Sequence, residues 1–143
     1  MTEIAMDIIN RLKLTPLDCE GGYFRFLHEF GEGSGSIYYL VTDDSFSHLH
    51  ALSSDELWFF LEGDEAEQVI VDENGDIERR ILNAENRDSL VLKDHHQATR
   101  IKKSVLGYSL FSTIMSPKYS DDMYTSGSND PIVNCIKELE DLL

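Results

Sequence analysis

The sequence predicts an all-β fold, a sandwich or small barrel with a short helix at each end. Three observations predict it. Eight β-rich runs at residues 23–30, 36–42, 56–62, 67–72, 77–82, 89–92, 97–103 and 106–115 follow one another at close spacing. Turn signals separate them: Gly31-Glu32-Gly33-Ser34-Gly35, Asp43-Asp44, Glu62-Gly63-Asp64 and Asn74-Gly75. Helical apolar spacing occurs only near the two termini. The 143 residues fit one domain, and a chain of this length buries about 68–70% of its unfolded surface.

The first element is a helix over about 2–13. Ile4, Ile8, Ile9 and Leu12 share a face, Thr2 caps the start, and Thr15-Pro16 ends it, because a residue before proline is pushed out of the α region. The barrel occupies about 20–117. Within it Asn74-Gly75 is the strongest hairpin signal, since both residues tolerate the positive φ of a type I′ turn. Residues 119–129, rich in Ser, Asp and Gly, read as a loop. Pro131 then opens a C-terminal helix over about 131–142, with Asp130 as its cap and Ile132, Ile136, Leu139 and Leu143 as its apolar stripe.

Twelve Lys and Arg against 27 Asp and Glu give a net charge of −15. Such a surface repels phosphate backbones and anionic membranes, so neither nucleic acid nor a membrane is an expected partner. No stretch approaches the roughly 18 apolar residues of a membrane helix. The N-terminus has neither the basic opening nor the apolar core of a secretory signal. Cys19 and Cys135 stand far apart and outside any CxxC pair, which favours two reduced thiols over one long-range disulfide and makes the cytoplasm the expected compartment.

Chemistry concentrates in Ser47-His48-Leu49-His50, followed by Glu56 and Gly63. In a strand, residues two apart point to the same side, so His48 and His50 are expected to project together, with Glu56 facing them from the next strand. Two imidazoles and a carboxylate converging inside a barrel make a site for one divalent transition metal (Fe, Mn, Ni or Zn) with open positions. The competing expectation is two histidines hydrogen-bonded near the barrel mouth. Trp58 and Phe60 share the Glu56 face and either pack the core or line a cavity. Leu57, Phe59 and Leu61 form a second apolar face that needs cover from the other sheet or another subunit. Tyr23 and Arg25 share a strand face, where the guanidinium either enters a pocket to hold a carboxylate or phosphate or forms a surface salt bridge. One of Tyr38 and Tyr39 faces the cavity.

The spacing H-x-H, five residues, E, six residues, G resembles the first motif of the cupin superfamily. The resemblance extends through Glu20-Gly21-Gly22-Tyr23-Phe24-Arg25, Ile37-Tyr38-Tyr39-Leu40, Ser45-Phe46-Ser47 and Asp55-Glu56-Leu57-Trp58 to a group of small single-domain cupins of unknown function. Gln97-Ala98 and Met115-Ser116-Pro117 resemble later segments of that group, so the likeness covers about 14–119. It implies a double-stranded β-helix, commonly a homodimer, and a small-molecule ligand. The group usually carries arginine at the position of His48. The superfamily's second motif is eroded: Lys93 stands at its proline, and Gln97 stands where the fourth ligand, a histidine, is expected, with His96 adjacent. Metal ligands are thus expected at His48, His50, Glu56 and Gln97, and ligand contacts at Tyr23, Arg25, Trp58, Phe60 and His96. The expected function is small-molecule binding. The alternatives are a metal-independent isomerase like the sugar-nucleotide epimerases of the superfamily, or a non-catalytic structural or sensing module.

Overall fold

Helix α1 spans Glu3–Leu12, with the Thr2 Oγ1 accepting from the Ala5 amide at 3.1 Å as an N-cap. It stops two residues earlier than a proline stop requires, because Lys13 turns left-handed (φ 58°) and its amide and that of Leu14 return to Asn10 and Ile9. The buried stripe is Ala5, Ile8 and Ile9, while Ile4 points to solvent. The computed structural model describes residues 1–143.

The remaining elements are β1 (Thr15–Pro16), β2 (Tyr23–Phe30), β3 (Ser34–Thr42), β4 (Ser47–Leu52), β5 (Glu56–Gly63), β6 (Ala66–Val71), β7 (Ile77–Leu82), β8 (Asp88–Val91), β9 (His96–Ile101), β10 (Tyr108–Met115) and β11 (Tyr124–Ser126). They form two antiparallel sheets, one in the order β1-β2-β3-β10-β5-β8 and the other β11-β4-β9-β6-β7. The expected all-β architecture is present. Tyr39, Val41, Trp58, Phe60, Ala66, Ile70, Leu82, Val91 and Phe111 fill the space between the sheets. Helix α1 covers the outside of the first sheet, on Leu40, Tyr108 and Leu110.

The C-terminus differs from the sequence expectation. Asp130 does cap, with its Oδ1 accepting from the amides of Ile132 and Val133 at 2.9 and 3.0 Å. Beyond this cap the chain forms two 3₁₀ segments, Val133–Cys135 and Lys137–Leu142, rather than an α-helix. Val133, Leu139 and Leu142 are buried against Leu49, Val69, Val71 and Ala98 on the outside of the second sheet. A three-residue turn places Leu139 and Leu142 on one side. Burying each leucine is worth about 1.5–3 kcal/mol, more than the per-residue propensity differences of up to about 0.7 kcal/mol among ordinary helix formers. The segment expected as a loop contributes β11, which pairs with β4 through Tyr124↔Leu52 and Ser126↔His50.

The β6–β7 connection is a hairpin, as expected, but not a type I′ turn. Gly75 has φ 84° and Asn74 does not have a positive φ. The Gly75 amide donates to the Asp72 carbonyl at 3.0 Å and Asp72 pairs with Asp76, which makes a three-residue loop with glycine in the left-handed position. Asp72 Oδ1 accepts from the amides of Asn74 and Asp76, and that side-chain scaffold favours the longer loop. Both cysteines are free thiols, and no helix is long and apolar enough to cross a membrane.

Candidate functional site

The register of β4 decides the site. Ser47 pairs with Thr99 and His50 with Gln97, so two residues of β4 lie opposite one of β9. This bulge turns Ser47 and His50 to the same inner side although they are three apart. His50 is fully buried, with its ring stacked on Tyr124 (centroids 5.3 Å apart, 16° between planes). Its Nδ1 lies 2.7 Å from the His48 carbonyl, which only accepts, so the ring proton sits there. Nε2 is left buried without a hydrogen-bond partner, 3.4 Å from Glu20 Oε1.

His48 does not join it. Its ring stacks on Phe46 (centroids 4.2 Å apart) and its Nδ1 lies 3.0 Å from the Glu20 carbonyl. The two imidazoles, expected side by side, are separated by the bulge. Glu20, the first residue of the Glu20-Gly21-Gly22-Tyr23-Phe24-Arg25 stretch, is the residue brought in. Its Oε2 accepts from Ser47 Oγ at 2.7 Å. The turn that delivers it needs glycine: at Gly22 (φ 74°) a Cβ would lie 2.4 Å from the Tyr39 hydroxyl. That hydroxyl donates to the Gly21 carbonyl at 2.6 Å, so Tyr39, not Tyr38, faces inward.

Opposite, Gln97 bridges two side chains. Its Nε2 donates to Glu56 Oε1 and its Oε1 accepts from Trp58 Nε1, each at 3.0 Å. Glu56 is buried, and its pKa rises from the usual 4.5 to about 7. Burial is the main cause and the charge of Glu20 the second, opposed by His50 and by hydrogen bonds from Thr113 and Gln97.

Glu20 and Glu56 line a cavity of about 290 Å³ against the inner face of the first sheet. Leu17, Phe24, Phe26, Ile37, Trp58 and Met115 make its apolar wall, with Tyr39 and Thr113 near the acids. Lys118, Tyr119 and Asp121 also line it, and Lys118 is paired with Glu29 at 2.5 Å.

Several expected contacts lie elsewhere. Tyr23 packs on the outer side under α1, and the Arg25 guanidinium sits 5.6 Å over the Tyr38 ring. Neither enters the cavity, because β2 turns Phe24 and Phe26 inward instead. Alternation shows which residues share a side of a strand but not which side is covered. Phe60 points inward but packs on Phe111 in the core, away from the cavity wall. His96 lies on the outer side of β9, its Nε2 3.9 Å from Asp130 Oδ2 and without a hydrogen bond; burial lowers its pKa. Trp58 and Glu56 do line the cavity.

The donors expected for a metal do not fit one. Gln97 gives its oxygen to an indole N–H, His48 is held at the Glu20 backbone, and no three His, Cys, Asp or Glu side chains gather in ligand geometry.

Similar chains agree with this architecture. A protein from Leishmania major is 26% identical over 85% of each chain, with a TM-score of 0.77. A protein from Shewanella oneidensis is 26% identical over 87% of this chain and 85% of its own, with a TM-score of 0.78. Oxalate decarboxylase from Bacillus subtilis shares 15% identity and a TM-score of 0.65 over 92% of this chain and 37% of its own, a likeness of fold alone. No curated protein sequence matches the chain. The sequence profile described as Cupin superfamily (DUF985) matches residues 6–125, and the chain belongs to that family.

Proposed function

We propose that this chain binds a small, uncharged, mainly apolar molecule inside the barrel, with the molecule's one polar group against Glu20 and Glu56. The observation that supports this is a cavity of about 290 Å³ lined by aromatic and aliphatic side chains and by the two buried residues Glu20 and Glu56. Pockets of this kind take their affinity from the apolar wall and their orientation from the few polar groups. An anion is disfavoured there, since the one cation of the lining, Lys118, is already held by Glu29.

The same charge pattern weighs against a sugar-nucleotide isomerase. A diphosphate needs a basic cradle, yet Arg25 lies outside the cavity and Arg100 is bound to Asp141 and Glu67. A divalent metal is disfavoured there, because Gln97 is held between Glu56 and Trp58 and His48 at the Glu20 backbone; elemental analysis of protein purified without chelator tests this. A non-catalytic sensing role is compatible with binding alone.

Trp58 is the only tryptophan of the chain and lines the cavity, so its emission reports occupancy. Benzyl alcohol is expected to shift that emission saturably and benzoate to leave it unchanged. A stronger response to benzoate, or none to either, would overturn the proposal.

A further inference from the structure

We propose that Glu20 makes the barrel selective for an alcohol, by accepting the ligand's O–H where an ether, ester or ketone of the same size has no proton to give. This rests on the binding proposal and narrows its ligand to one chemical class.

Each side-chain donor around the cavity already has a partner. The Tyr39 hydroxyl donates to the Gly21 carbonyl at 2.6 Å, and Trp58 Nε1 donates to Gln97 Oε1 at 3.0 Å. Thr113 is hydrogen-bonded to Glu56. Lys118 is held by Glu29, and the Tyr119 hydroxyl lies 3.8 Å from Cys19 Sγ. A ligand that only accepts hydrogen bonds finds none of these groups free.

Acceptors, by contrast, are left over. Glu20 is 8% exposed and lines the cavity, and its Oε2 accepts from Ser47 Oγ at 2.7 Å. Its Oε1 faces His50 Nε2 at 3.4 Å. That nitrogen supplies no donor, because the ring proton sits on Nδ1 against the His48 carbonyl, and Nε2 is itself buried without a partner. Two acceptors this close in a dry site call for a donor from outside the protein. A ligand that enters must bring that donor or leave the carboxyl oxygen unpaired beside an apolar wall, and sites of this kind discriminate strongly against the analogue that lacks the hydrogen.

The hydroxyl of an alcohol meets the need. Its proton goes to Glu20 Oε1, its oxygen keeps an acceptor lone pair, and its apolar remainder lies against the aromatic and aliphatic side chains. A proton on Glu56 would serve the oxygen of an alcohol and of an ether alike, so the choice between the two falls to Glu20.

Phenethyl alcohol and benzyl methyl ether test this on the full chain, because they are isomers with the same ring and a single oxygen, and only the first has an O–H. Binding of each is followed by Trp58 emission and by calorimetry. Wild type is expected to hold the alcohol about 10- to 100-fold more tightly than the ether. Glu20→Gln replaces an acceptor oxygen by an amide nitrogen that can donate to His50 Nε2 or to an ether, and should bring the two affinities within about 3-fold of each other. The wild-type comparison needs no variant, so a misfolded substitution leaves the test intact. Equal wild-type affinities, or a preference for the ether, would overturn the alcohol inference and leave binding standing. A preference for the alcohol that persists undiminished in folded Glu20→Gln would overturn it as well. Saturable binding of neither compound would remove both proposals.

Discussion

Glu56 ties the stability of the protein to pH. Its folded pKa of about 7 lies above the ordinary 4.5, so the fold favours the protonated form. No charging penalty applies below the unfolded pKa. The penalty grows as pH rises and is complete above about 7, where it reaches roughly 3 kcal/mol at about 1.4 kcal/mol per unit. Glu56→Gln should therefore melt higher than wild type at about pH 8 and close to it at about pH 5, and equal melting curves at both would count against the burial argument. Trp58→Phe keeps a ring in the wall but leaves Gln97 Oε1 buried and unpaired, at a cost of about 1–3 kcal/mol in urea unfolding. Glu56 and Trp58 were legible from the strand that carries them. Glu20 was not, because its role depends on a bulge in another strand, though two glycines following an acid do mark a tight turn into the barrel.

At the scale of elements, alternation located the strands and left their sides open. Tyr23 and Arg25 face out because α1, held by the Thr2 cap and by Thr2 Oγ1 donating to the Leu106 carbonyl, covers that side of the sheet. Turn chemistry located the β6–β7 hairpin but not its length, which the Asp72 side chain sets. Gly75→Val forces a branched residue to φ 84° and should destabilise the protein by about 1–2 kcal/mol by thermal unfolding. An unchanged melting temperature would contradict the loop assignment. The C-terminal cap was readable at Asp130, whereas the 3₁₀ course depends on docking against β4, β6 and β9, which no local pattern shows. Leu139→Ala, at a fully buried position, should cost about 2–5 kcal/mol if that docking is part of the fold. A loss under about 1 kcal/mol would mean that the segment is loosely held.

For the whole molecule, the cupin architecture was visible in the sequence because strand spacing and the H-x-H, E, G pattern reflect the same barrel. One surface of that barrel is left without cover. Leu57 pairs with Leu90 outside the sheet, beside Phe59, and Leu90 and Leu92 are 47% and 49% exposed. A second copy would cover this patch through a two-fold contact, the simplest closed symmetry. Light scattering should give twice the mass of the 143-residue chain, and Leu90→Arg should reduce it to one chain. A wild-type monomer at micromolar concentration would end the homodimer expectation.

The burial of Glu56 at the cavity predicts that it keeps its proton near neutral pH. Carbon NMR of the glutamate side-chain carboxyls, with Glu56→Gln to assign the signal, measures this directly. The account predicts a midpoint near 7 for Glu56. A midpoint at the ordinary 4.5 would show a solvated Glu56 carboxylate and contradict it.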